Sequence, residues 1–278
     1  PYTTLFRSPE VLVAAKIIKA DSALAKIINA IQKNIYKRSD HILVLGREMM
    51  ELVHGKTGNG IEKVALITHW ADCDEIRPLP RDRNALLSQL GILDKFVIQY
   101  SGNMGRTHDL ESLIQCAKIL HKHDGIHFLF IGSGAKESWL RKKVSGFGLK
   151  NVTILSPQPR SELRSSLNAC DLAIISFVRG MAGASVPSRM YNIMSAGKPI
   201  LAVAEEGSEL ARVISEENIG WVVAPGSPEL MAKAILKANA NRLLLQEMSV
   251  QACRAATDKY AKPLIMQKHQ KLMDTYQG

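Results

Sequence analysis

VIQYSGNMGRTHDLESLIQCAKILHKHDGIHFLFIGSG, residues 97–134, decides the fold. A β-rich run at 97–101 meets a glycine turn, an amphipathic helical stretch follows at 110–120, and a second apolar run at 126–131 ends in a second glycine turn. Strand, turn and helix repeated in this order predict right-handed crossovers and a parallel sheet covered on both faces. The alternation continues with strands at 152–155, 172–176, 199–203 and 221–223, and with helices at 137–144, 161–168, 189–196, 209–215 and 228–238. The class is therefore α/β, a doubly wound parallel sheet between about Asn84 and Asp258. In such sheets ligands bind beyond the strand C-termini, where the glycine turns of this chain fall. A last helical region, residues 241–276, is interrupted at Pro263 and adds no strand.

Upstream the pattern is different. Residues 11–36 read as one amphipathic helix, with Leu24, Ile27, Ile28, Ile31 and Ile35 at helical spacing and Lys26, Lys33 and Lys37 between them. Its apolar face either packs on a core or lies at a membrane surface. Residues 41–45 and 63–67 read as short strands flanking a helix at 47–54 and a TGNG turn, and residues 76–84, with Pro78 and Pro80 among charges, read as a linker. The first eight residues, PYTTLFRS, resemble the translation of a sequencing adapter and are set aside, which leads us to expect natural sequence before Pro9.

Composition narrows the class further. The 278 residues are 46% hydrophobic, without the apolar run of roughly 18 residues that a membrane span needs, so a cytoplasmic protein is expected. Cys73, Cys116, Cys170 and Cys253 form no C-x-x-C pair, which argues against disulfides and zinc. The net charge of +10, most of it from Arg81 onward, favours phosphorylated small molecules, anionic headgroups or polyanions. Only 5% of the residues are aromatic and none interleaves with basic clusters, which disfavours nucleic acid.

Three loops could carry chemistry. In YSGNMGR, residues 100–106, Gly102 and Gly105 could bring backbone N–H groups to an anion or simply form a tight turn; Gly132 and Gly134 after the second strand offer the same choice. Neither loop is a dinucleotide fingerprint, which needs a third glycine and an acid about 20 residues on. The most specific stretch is GMAGASVPSRMYNIMSAGKP, residues 180–199, with Ser188 expected to cap a helix by its hydroxyl. Arg189 then falls in the first turn, where the helix dipole disfavours a cation unless an anion is bound there. One turn on, Asn192 could reach a ligand hydroxyl. Glu205, Glu206 and Glu209 suit either a helix start or a sugar contact, and His121 and His123 read as solvated.

Taken as an ordered set, Trp70-Ala71-Asp72 before Arg77-Pro78, then YSGNMG, IGSG, VPSRMYNIMSAGKPI and GSEL, resemble the family 4 retaining glycosyltransferases, in particular the branch that builds colanic acid, O-antigen and other surface polysaccharides. The resemblance implies a GT-B fold of two Rossmann-like domains. Residues 9–83 would be the end of the acceptor-side domain and the linker, 84–258 the complete donor domain, and 259–278 a helix returning to the first domain. It implies transfer, with retention, from a nucleoside-diphosphate sugar to a lipid-linked saccharide, without cofactor or metal, and a possible peripheral contact with an anionic membrane. Donor-binding residues by this reading are Gly102, Asn103, Gly105, Arg106, Gly132, Gly134, Gly183, Ser188, Arg189, Asn192 and Glu209; catalytic residues would precede Pro9. Asn103 and His108 stand where many members place Arg and Lys on the pyrophosphate, and Ala184 and Asn192 stand where the common glutamate pair falls. Two other readings stay open: a nucleotide-sugar binding fragment without catalysis, and a nicotinamide-dependent oxidoreductase.

Overall fold

A computed structural model describes residues 9–58 and 63–275. The adapter-like octapeptide and the second half of the TGNG turn lie outside the described residues. Six parallel strands form the main sheet: β3 (Phe96–Ser101), β4 (Ile126–Ile131), β5 (Val152–Leu155), β6 (Leu172–Ser176), β7 (Ile200–Val203) and β8 (Gly220–Val223), in the order β5-β4-β3-β6-β7-β8. The chain winds outward from β3 in one direction, then restarts at β6 on its other side, with Ile98 opposite Leu172. Loops leaving β3 and β6 consequently diverge, and a crevice opens between them at the strand C-termini.

The period-2 pattern explains why both faces are covered. Phe96, Ile98 and Tyr100 point into one core with Phe128, Phe130, Ile174 and Val203, under α5 (Leu110–Ile119) and α10 (Pro228–Ala240). Val97 points to the other, with Leu129, Ile131, Ala173, Ile175 and Ala202, under α8 (Arg189–Ser195), α9 (Glu209–Glu216) and α11 (Arg242–Lys259). Each fully buried aromatic or branched side chain contributes roughly 1.5–3 kcal/mol from area removed from water. The remaining helices of this part are α4 (Ala85–Gln89), α6 (Glu137–Gly146) and α7 (Leu163–Leu167).

Before the sheet lie α1 (Pro9–Ala14), α2 (Ala23–Arg38), β1 (Ile42–Val44), α3 (Arg47–Thr57) and β2 (Val64–Leu66); β1 and β2 pair in parallel, Ile42 opposite Val64. The single helix expected over residues 11–36 is in fact two. The chain breaks at Lys16, which takes a φ of 56°, and restarts where Ser22 accepts a hydrogen bond from the Ala25 amide at 3.2 Å. The Pro-rich segment expected to be a linker is clamped rather than loose. Asn168 accepts from the Leu79 amide and donates to the Arg77 carbonyl, Ser195 donates to the Ile76 carbonyl, and Ile76 is buried. The last helical region is interrupted as expected, at Tyr260 and Ala261 between α11 and α12 (Lys262–Thr275), and Pro263 becomes the second residue of α12, where its missing N–H costs nothing.

Candidate functional site

The turns after β3 and β4 are folded onto one another. The Gly102 amide donates to the Ile131 carbonyl at 2.9 Å, the Met104 amide to Ser133 at 2.8 Å, and the Lys136 amide to Met104 at 2.8 Å. Gly102, Gly132 and Gly134 take φ values of 143°, 148° and 150°, which side-chain-bearing residues rarely adopt. A β-carbon on Gly132 would collide with the Gly102 carbonyl, and one on Gly134 would lie 2.6 Å from Asn103 Oδ1.

Arg189, from the start of α8, lies across this double turn. Its Nη1 donates to the Ser101 carbonyl at 2.8 Å, and its guanidinium carbon sits 4.8 Å from the centre of the Tyr100 ring. Tyr100 in turn fixes the loop by donating its hydroxyl to the Asn103 carbonyl at 2.6 Å. No carboxylate pairs with Arg189 among the described residues, and its Nε and Nη2 are buried without a partner. An unmet buried donor costs about 1–3 kcal/mol, more when charged, so this guanidinium is poised for an external acceptor.

Beside it opens a cavity of about 610 Å³, whose walls include Asn103, Arg106, His108, Ser185, Ser188 and Arg189. A second hollow of about 370 Å³ shares Gly102 and Asn103 with the first and continues to Ser133, Pro157 and Gln158. The first cavity is the larger and the one that holds the cations. His108 is buried, its Nδ1 2.8 Å from the Ser176 carbonyl and its ring stacked on Phe177 at 5.3 Å. Burial first, and then the Arg189 charge, push its pKa down to about 4, so the imidazole is neutral at physiological pH.

Of the residues singled out in the sequence, Gly102, Asn103, Gly105, Arg106, Ser188 and Arg189 converge on the first cavity, while Gly132 lines the second hollow and Gly134 shapes the turn beneath. Ser188 differs from expectation: its hydroxyl makes no cap hydrogen bond, its backbone is already helical, and the side chain is exposed on the cavity wall. α8 is only seven residues long, so its dipole is small, and Arg189 brings a full positive charge of its own to the cavity wall. Three residues point elsewhere. Gly183, at φ 73°, packs against the Glu48 carbonyl and Leu52 of α3. Asn192 accepts from the Asp72 amide at 3.0 Å, and buried Glu209 accepts from the backbone amide and Nε of Arg47, both at 2.9 Å. Glu205 holds the loop that begins at Gly180, accepting from the Gly180 and Ala182 amides. The sequence reading missed Pro157 and Gln158, although the rule that strand C-termini carry the ligand would have pointed to the turn after β5.

Residues 82–255 match the family described as Glycosyl transferases group 1. The chain is 34% identical over 227 residues to WbjE of Pseudomonas aeruginosa, assigned as a glycosyltransferase, covering 82% of this chain and 56% of that protein. It is 28% identical over 218 residues to WcaI of Escherichia coli (strain K12), assigned as a colanic acid biosynthesis glycosyl transferase, covering 77% and 53% respectively. The chain thus spans about half the length of the curated relatives it matches. Anabaena Alr3699/HepE, solved in complex with UDP, superposes with a TM-score of 0.79 at 16% identity, over 90% of this chain and 68% of that one. WaaG, a glycosyltransferase involved in lipopolysaccharide biosynthesis, gives 0.72 at 16% identity, over 90% and 67%. The fold is of the GT-B type.

Proposed function

Because this chain belongs to the group 1 glycosyl transferases, we propose that it holds a nucleoside-diphosphate sugar at the double glycine turn and serves sugar transfer in the assembly of a bacterial surface polysaccharide. The observation that carries this reading is the unpaired guanidinium of Arg189, with Nε and Nη2 buried and unpartnered beside a cavity of about 610 Å³. A diphosphate lying over Gly102 and Asn103 would accept from Arg189, with Arg106 adding a second, exposed cation. The base and ribose would extend into the hollow at Ser133, Pro157 and Gln158, and the sugar into the cavity bounded by Ser185, Ser188 and His108.

The chemistry follows from where charge develops. Breaking the bond between the sugar and the diphosphate leaves negative charge on the departing phosphate oxygens, and a fixed guanidinium stabilises that charge more than the ground state. Arg189 therefore assists departure without itself exchanging a proton. In this reading the sugar goes, with retention, to a hydroxyl of a lipid-linked saccharide, and the acceptor-side groups come from a further domain. A lipid-linked acceptor would bring the protein to the inner face of the membrane as a peripheral protein. Among the described residues no helix is long and apolar enough to cross a membrane.

Thermal unfolding with UDP, GDP and NAD present in turn tests the reading. One of the nucleoside diphosphates should raise the midpoint and NAD should not. Protection by NAD alone would transfer the chain to the oxidoreductase reading, and binding of a sugar nucleotide by a full-length protein that never transfers the sugar would favour the binding-fragment reading.

A further inference from the structure

Every polar side chain on the wall around Arg189 is a cation or a flexible hydroxyl or amide, except one. His108 is held with its Nδ1 against the Ser176 carbonyl at 2.8 Å. A carbonyl can only accept, so the proton sits on Nδ1, and in the neutral ring Nε2 carries a lone pair. The ring faces are taken: Phe177 stacks at 5.3 Å and Tyr100 packs edge-on at 6.0 Å. The edge with Nε2 is what remains for the cavity, which His108 helps to line.

An acceptor beside an anion site is chemically specific. Phosphate oxygens also accept and would be repelled by the lone pair, whereas a hydroxyl would satisfy it. Taking up a proton to become a phosphate-binding cation is opposed by burial and by the nearby charges of Arg189 and Lys136, all of which lower the affinity of this imidazole for a proton. Position in the cavity then selects among hydroxyls. His108 lines the same cavity as Ser185 and Ser188 and does not line the hollow at Pro157 and Gln158 to which the ribose is assigned.

We infer that His108 is a specificity-determining residue that accepts a hydrogen bond at Nε2 from a hydroxyl of the sugar being transferred, leaving the diphosphate to Arg189. The inference rests on the donor-site reading above and extends it from the nucleotide to the sugar. It assigns sugar discrimination to a rigid, proton-poor ring rather than to a carboxylate.

Calorimetry on this chain separates the two levels. Titrations use UDP, GDP, UDP-glucose, UDP-galactose, UDP-N-acetylglucosamine and GDP-mannose, on the parent and on His108→Phe and His108→Gln. If neither bare diphosphate binds, the donor-site reading fails. If one binds, the inference requires a sugar nucleotide that binds tighter than its own bare diphosphate. His108→Phe should reduce that gain roughly three- to tenfold, the value of one hydrogen bond, while leaving the bare diphosphate unchanged. His108→Gln, which supplies an acceptor oxygen, should recover part of it. No gain from any sugar, or an equal loss for diphosphate and sugar nucleotide, overturns the inference. A second measurement needs no variant. At pH 7.5 the diphosphate of a sugar nucleotide has no group left to titrate, so titrations in two buffers of different ionisation enthalpy report the protein alone. Proton uptake near zero is expected; uptake approaching one proton would make His108 a cation on the phosphate and overturn the assignment.

Discussion

A β-carbon placed on Gly102 would fall on Nη1 of Arg189. The close approach of this backbone to the guanidinium is what lets a single cation cover both the carbonyl of Ser101 and the turn that follows. Gly102→Ala should therefore displace Arg189 and strain a backbone held at φ 143°, a combined loss of about 1–3 kcal/mol in stability. Urea denaturation measures the loss, and UDP or GDP titration should show weakened binding in the same variant.

Arg189→Lys keeps the charge and loses the planar fork. The lysine can replace the contact to Ser101 or reach the ligand, but it cannot hold both in one plane as the guanidinium does. Affinity for the protecting nucleoside diphosphate should fall roughly 10- to 100-fold, matching one charged hydrogen bond, with the melting temperature of the unliganded protein little changed. Unchanged affinity by calorimetry would remove Arg189 from the site.

Arg47 ties the upstream segment to the six-stranded part through two carboxylates of α9, Glu209 at 2.9 Å and Glu216 at 2.6 Å. Their hydrogen bonds, Glu216 first and Glu209 second, raise the pKa of Arg47 further above its already high ordinary value. The two partners are not equivalent, since the Glu209 side chain is 5% exposed and that of Glu216 52%. Arg47→Ala strands the buried member and should cost roughly 2–4 kcal/mol, below the full buried-pair value because Arg47 itself is partly solvated. Glu216→Ala should cost less than about 1 kcal/mol. Denaturant midpoints of the two variants check the order.

Glu48 is buried next to that pair, and no hydrogen bond of good geometry reaches either carboxylate oxygen. Burial raises its pKa above the ordinary carboxylate value; amides at Glu209, Glu48 and Gly183 oppose the shift and the Glu209 charge adds to it. Folded Glu48 thus keeps its proton to higher pH than the unfolded chain does, and stability declines as pH rises through that interval. Glu48→Gln should stabilise the protein at pH 7, and the advantage should shrink as pH falls to 4 and below, where the unfolded chain also takes up the proton. Urea midpoints of parent and variant at the two pH values test the sign.

The sheet was legible because period-2 runs such as 126–131 alternate with helical spacing, and the turns that line the cavities were legible from glycine placed directly after strands. What sequence could not give was pairing across distance. Glu209 carried the marks of a helix start and a sugar contact, yet its partner Arg47 stands 162 residues earlier, and no local pattern joins them. Asn192 is likewise committed to the Asp72 amide, 120 residues away. His108 stood out only as a departure from the common lysine; its neutrality comes from burial, with Phe177 stacked on the ring, and from the Arg189 charge, which together outweigh the hydrogen bond to the Ser176 carbonyl, and only the folded sheet brings these groups close. The break between α1 and α2 was readable after all in Asp21-Ser22, a helix-start pair overlooked within a strong apolar rhythm.

β1 and β2, among the described residues, pair only with each other. A parallel ribbon two strands wide leaves its margins without a further strand, and here Leu43 and Leu66 lie exposed on the same strands, with Ile27 and Ile31 uncovered on α2. Concentrated samples of this chain therefore carry a built-in route to self-association by strand addition. Crystallisation, dilution series and light scattering would all meet that property before they meet the enzymology.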